Sequence, residues 1–149
     1  MTQIINFIFY YFLIIFSAIG YGMLVNLKQK KVDFGILGLT GILVLIFISY
    51  YSNLFFKHGY LHNSIVILTG FLIFVYSLIK NFNNLKKNFL ITLIVFSILF
   101  IGLLMYKNHD DFFYYHFQYT LSLINFKKIF GSAHLGHGWR TPSSIFYLN

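Results

Sequence analysis

The chain contains no cysteine, so disulfides and thiolate chemistry are excluded and nothing in it reports a redox compartment. Acid is nearly as scarce: Asp33, Asp110 and Asp111 are the three acidic residues in 149. Arginine occurs once, as Arg140, and tryptophan once, as Trp139. Charged residues make up 9% of the chain and hydrophobic ones 58%, against roughly 25% and 45–50% in a soluble domain. A water-soluble protein of this size could not hide so much apolar surface, whereas a bilayer accepts it. Basic residues number 11, giving a formal net charge of +8, a balance that would suggest nucleic acid in a soluble chain. Here the cations stand in short clusters between apolar runs, as loops facing anionic headgroups do. The expected partner is therefore the lipid bilayer and not nucleic acid. No P-loop, nucleophile elbow, heptad seam or internal repeat stands out.

Four apolar runs give expected spans at about 4–25, 34–56, 61–79 and 89–106, close to the roughly 20 residues that cross a hydrocarbon core of about 30 Å. The first is uncharged, has no basic residue before it and is long for a signal-peptide core, so it reads as a span. Lys28, Lys30, Lys31 and Asp33 form the first loop. Lys57, His58 and His62 mark the second. Lys80, Lys86 and Lys87, with Asn81, Asn83 and Asn84 as breakers, make the third. Loops one and three hold three lysines each and loop two holds one. The positive-inside rule then puts loops one and three in the cytoplasm, and the N-terminus and everything after Tyr106 outside. Gly35, Gly38 and Gly41, three apart at the start of the second run, suit a helix–helix contact better than a phosphate loop. The expected fold is all-α: a polytopic transmembrane helix bundle of about four spans over 1–107, followed by an amphipathic interfacial helix and a glycine-rich outer loop over 108–149.

That outer region differs in kind. Asn108, His109, Asp110 and Asp111 offer capping oxygens, and a periodic stretch follows over 111–126. Asp111, Tyr115, Gln118, Ser122 and Asn125 form one polar stripe; Phe112, Phe113, Phe117, Tyr119, Thr120, Leu123 and Ile124 fill much of the rest. This predicts a helix lying along the outer membrane surface or against the bundle, with Lys127 and Lys128 complementing its dipole. A glycine-rich loop runs from Gly131 to Ser144, and the apolar run that starts at Ser144 stops at Asn149. The chain therefore reads as the N-terminal part of a longer protein, with a further span to follow.

Asp110 and Asp111 are the first candidates for chemistry. Two adjacent carboxylates at a helix start serve as cap and dipole partner; alternatively one acts as general base, or binds a divalent cation that holds a phosphate leaving group. Like charges so close push one pKa up, which suits a base working near neutrality. His134 and His137 form H-x-x-H, with His109 and His116 nearby in sequence. The spacings do not match the familiar zinc patterns, so no metal site is assigned and hydrogen bonds to a headgroup or sugar are expected instead. Trp139 and Arg140 read either as an interface anchor or as a recognition pair, the guanidinium forking onto phosphate oxygens and the indole stacking on a sugar.

The stretch from His109 to Asn149 resembles the first large outer loop of a bacterial family of polytopic membrane proteins similar to the GT-C membrane glycosyltransferases. Asp111-x-x-x-Tyr115-His116 carries the likeness, with Gly131-x-Ala133-x-Leu135 and the Ser143–Ser144 pair further on. The chain departs from the pattern at His134 and Pro142, where asparagines are expected, and in the position of its basic residue, Arg140. The resemblance implies sugar transfer from a polyprenyl-phosphate donor to a surface glycan or lipid acceptor, on the periplasmic side of the bacterial inner membrane. Asp111, with Asp110 second, would act as base or metal-linked anchor. Tyr115, His116, His134, His137 and Trp139 would line the substrate site, with Arg140 or Lys127 and Lys128 neutralising the departing phosphate. No cofactor follows beyond that divalent cation. The alternative is a non-catalytic membrane protein, such as a flippase, transport component or assembly subunit. The lack of charge within the four runs counts against proton-coupled transport.

Overall fold

The computed structural model describes residues 2–26, 33–105 and 116–127. Among these residues the protein is all-helical, with α1 (Thr2–Val25), α2 (Phe34–Phe55), α3 (Tyr60–Lys80), α4 (Phe82–Leu104) and α5 (His116–Asn125). The first four are 24, 22, 21 and 23 residues long and apolar enough to cross a membrane. At about 1.5 Å per residue each exceeds the roughly 30 Å of a hydrocarbon core. They expose large apolar side chains such as Leu39, Leu43, Leu72, Ile94, Ile98 and Ile101. Water would penalise that surface; lipid does not, and a helix satisfies its own backbone polar groups there. The chain is a multi-pass membrane protein.

The described residues fall into two compact units, 2–26 with 33–44 and 66–105, and 45–65 with 116–127. In the first, α1 is the central helix. Phe16 through Met23 are buried without interruption, which requires neighbours on every side of those two turns. Small residues admit them. Ala18 and Gly22, four apart and so on one face, receive the backbone of α2 at Gly41 and Leu37. Gly20 meets the backbone of α3 at Gly70 and Phe74, where a Cβ would stand 3.0 Å from the Phe74 nitrogen. This is helix association by close backbone approach, as expected where lipid removes the hydrophobic drive. Of the three glycines expected at a contact, Gly41 makes one of this kind. A Cβ on Gly38 would only touch the Ile19 side chain at 3.8 Å. Gly35 instead belongs to a cap, its N–H donating to Asp33 Oδ1 at 2.6 Å.

Aromatic rings fill the space left over. Phe16 stacks on Phe74 with centroids 4.7 Å apart at 14°, and Phe34 meets Phe74 edge-on at 6.1 Å. Around them Ile19, Met23 and Leu37 complete the core, with Phe89 and Leu93 of α4 packed against it. Two phenols cross between helices to backbone carbonyls: Tyr11 donates to Phe96 at 2.9 Å and Tyr21 to Val66 at 2.8 Å.

The expected third loop is not a loop. Only Asn81 separates α3 from α4. Its backbone leaves the helical region (φ −126°, ψ 32°), and its carbonyl accepts the amides of Asn84 and Leu85, both at 3.1 Å. One non-helical residue suffices to turn the chain, so Asn83, Asn84, Lys86 and Lys87 belong to the first turns of α4. The fourth span is thus not free of charge, but the lysines lie at its end, where long side chains reach the headgroup region.

Candidate functional site

In the second unit the last turns of α2 carry Ser49, Ser52 and Asn53. The first turn of α3 carries His62 and Asn63, and His58 lies on the connection between them. Asn53 is 0% and His58 1% exposed. Ser52, His62 and Asn63 are half-buried. Six polar side chains here gather at the ends of two apolar helices, and hydrogen bonds order them.

The Ser52 hydroxyl is the hub. His62 Nε2 lies 2.9 Å and His58 Nε2 3.1 Å from its oxygen, and the Ser49 carbonyl is also 3.1 Å away. The two imidazoles stack face to face, centroids 4.5 Å apart and 4° from parallel. His62 Nδ1 stands 3.0 Å from Asn63 Oδ1, and Asn63 Nδ2 donates to the His58 carbonyl at 3.2 Å. Asn53 Nδ2 donates to the Phe56 carbonyl at 3.4 Å, at the C-terminal end of α2, where backbone carbonyls run out of helical partners. Asn53 Oδ1 is buried without a hydrogen-bond partner among the described residues.

Electrostatics separates the two rings. Burial first, then the neighbouring His62, pushes the His58 pKa down from 6.5 to about 4, with a hydrogen bond to the Ser49 backbone working the other way. Desolvation penalises the imidazolium, and a second cation in stacking distance penalises it again. His58 is accordingly neutral near neutral pH. Among the described residues no three His, Cys, Asp or Glu side chains come together, and this pair with a hydroxyl is one protein ligand short of a common zinc set.

Helix α5 closes over this connection. The His58 backbone N–H donates to the Leu123 carbonyl at 2.8 Å, capping from outside a helix whose last carbonyls have no partner within it. Gly59 lies close by, where a Cβ would come within 3.9 Å of the Ile124 carbonyl. Tyr119 and Leu123, four apart, are buried, while Phe117 and Leu121 are exposed. The seam is thus narrower than the apolar face read from periodicity, and Phe117 is not part of it.

The sequence-derived candidates lie elsewhere. Asp110, Asp111, Tyr115, Lys128, His134, His137, Trp139 and Arg140 fall outside the described residues, as does the 111–115 part of the expected amphipathic helix. His116 is the first residue of α5, and Lys127 is exposed just beyond its end. Sequence reasoning passed over Ser49, Ser52, Asn53 and Asn63, and took His58 and His62 only as loop markers. A signal was available: Ser49, Ser52 and Asn53 recur at helical spacing inside an apolar run, and His62 follows His58 by four. Polar residues kept at such positions need partners.

No protein-family model, curated protein or solved structure matches this chain significantly.

Proposed function

We propose that this chain belongs to an integral membrane glycosyltransferase-like protein of the GT-C type, moving a sugar from a polyprenyl-phosphate donor at the non-cytoplasmic face of the bacterial inner membrane. Asp111 deprotonates the acceptor hydroxyl, with Asp110 beside it. Arg140, or Lys127 and Lys128, offsets the charge left on the departing phosphate. Tyr115, His116, His134, His137 and Trp139 hold sugar and acceptor, and a divalent cation on the acid pair is compatible with the same chemistry.

The observation that most supports this reading is the 2.8 Å bond from the His58 amide to the Leu123 carbonyl. It joins the helix that follows the acid pair to a polar turn, and a hydroxyl acceptor needs polar surroundings of that sort. Parity agrees. If α1 to α4 each cross once, the α2–α3 connection and the segment after α4 emerge on one side, and Lys28, Lys30, Lys31, Lys80, Lys86 and Lys87 gather on the other; among the loops between spans these six stand against Lys57. The positive-inside rule makes the lysine-rich side cytoplasmic.

The test is Asp111→Asn in the full-length gene, scored by surface glycan. Glycan is expected to be lost with protein abundance unchanged; glycan at the wild-type level would end the proposal. Reporter fusions at Lys57 and Lys127 are expected to read non-cytoplasmic.

A further inference from the structure

The Ser52 cluster contains more order than capping two helix ends requires. Asn63 shows this first. Its amide nitrogen faces a carbonyl, that of His58, at 3.2 Å, which fixes which end of the amide is which. Its oxygen therefore faces His62 Nδ1, at 3.0 Å, and that nitrogen carries the proton. A neutral imidazole protonated on Nδ1 has its lone pair on Nε2. The nearest group to Nε2 is the Ser52 hydroxyl, at 2.9 Å, which donates to it. His58 Nε2, 3.1 Å from the same oxygen, is left to act as a donor, its N–H shared between Ser52 Oγ and the Ser49 backbone. The result is a directional chain: His58 N–H to Ser52 Oγ, Ser52 O–H to His62 Nε2, His62 Nδ1–H to Asn63 Oδ1. Hydroxyl, base and orienting carbonyl stand in the order that activates a serine.

We infer that Ser52 is a nucleophile for acyl transfer, with His62 as its base, His58 as a donor to the reacting oxygen and Asn63 as the positioning residue that holds His62 in the required tautomer. This goes beyond the sugar transfer proposed above and does not rest on it. The substrate is a neutral ester of an apolar acyl chain. Neutrality follows from Ser52's partners, two imidazoles and a carbonyl, none of them the fixed cation that a phosphoryl group calls for. The apolar chain follows from the surroundings: Tyr51, Phe55, Phe56, Tyr60 and Leu61 flank the turn with their side chains exposed.

In the step itself, Ser52 Oγ bonds to the ester carbonyl carbon as its proton passes to His62 Nε2. The carbon–oxygen bond to the alcohol then breaks, and the leaving alkoxide takes the proton from His62. Water, or a second alcohol, releases the acyl group by the same route. Burial holds the His58 pKa down at about 4, so that ring stays neutral during the step. The competing arrangement turns the Ser52 proton to the Ser49 carbonyl, 3.1 Å away, as an ordinary helical back-bond.

The experiment is covalent labelling of the full chain in phospholipid nanodiscs with an alkyl fluorophosphonate, located by peptide mass mapping. Label is expected on Ser52 ahead of every other serine. His62→Gln, confirmed folded by its melting curve, is expected to slow labelling by about 100-fold or more. Asn63→Ala is expected to slow it less and move its pH profile, with Asn63→Asp restoring the rate. An absence of label on Ser52 in the wild type would overturn the inference, as would labelling spread evenly over the serines or insensitive to His62→Gln.

Discussion

The two units of this protein solve the same problem with opposite materials. Around α1, contact is made by what is missing: Ala18, Gly20 and Gly22 have so little side chain that neighbouring backbones come directly against them, and stacked rings of Phe16 and Phe74 occupy the rest. Around the α2–α3 connection, contact is made by hydrogen bonds. Ser52, His58, His62 and Asn63 form a connected array, and α5 is tied on by a backbone bond. Small residues and rings hold helices together without needing water or charge. A hydrogen-bonded array costs more to desolvate and is worth retaining only when its members are satisfied. It also supplies what close-packed glycines cannot, namely a hydroxyl, titratable rings and a defined direction for a proton. The first unit is held by close approach and stacked rings, and the second by a hydrogen-bonded array.

The largest effect that would break this contrast is expected from Gly41→Leu, which drives a side chain into the Ala18 backbone. It should cost about 3 kcal/mol or more, read as a lowered melting midpoint in detergent. Gly102→Leu, where a Cβ meets nothing within 4 Å, should leave the midpoint almost unmoved. If the two substitutions behave alike, close approach is not what holds α1 and α2. Next comes Leu123→Ala, expected to cost about 2–3 kcal/mol in the second unit alone. Amide exchange at His58 should quicken while exchange along α1 stays as it was; equal loosening of both would deny them separate stability.

Acidification should also discriminate. The pKa of His58 is about 4 in the folded protein and 6.5 without its surroundings. The unfolded chain therefore binds the proton first as pH falls. Stability from this residue is complete above about pH 6.5, declines as the pH drops towards 4, and changes no further below that. Melting curves from pH 7 to 4 should show the decline, and His58→Gln should flatten it. The smallest expected effect is Tyr21→Phe, which removes one phenol-to-carbonyl bond between α1 and α3 at a cost of about 0.6 kcal/mol. A loss several times larger would make hydrogen bonding as important in the apolar unit as in the polar one.

The sequence made the spans legible because hydropathy is additive along a chain and the bilayer sets one required length. It did less well at their edges. Asn83 and Asn84 looked like breakers, yet Asn81 alone turns the chain, since a helix tolerates polar residues in its first turn and Lys86 and Lys87 can extend past its end. Gly35, Gly38 and Gly41 were equivalent by spacing, but only Gly41 faces a backbone; Gly20 and Gly22, equally visible as residues, carry more of the packing. In the region after α4, periodicity marked an amphipathic helix but could not tell which of Phe117, Tyr119 and Leu123 would be covered. The acid pair drew attention because acids are rare here. Ser52 and His62 drew none, because each is unremarkable until its partners are known.

Composition and order of residues alone determined that this is a helical protein of the membrane, because a chain with this much apolar surface and this little charge has no other stable solvent. They also determined about four crossings, because each apolar run satisfies its own backbone only as a helix of bilayer length. Tertiary structure alone decided that α1 would be the enclosed helix, that α5 would be held at His58, and that a serine, two histidines and an asparagine would share one hydrogen-bonded array. Those outcomes depend on the angle at which one helix end meets the next, and a hydrogen bond is sensitive to tenths of an ångström that no pattern of residue types encodes.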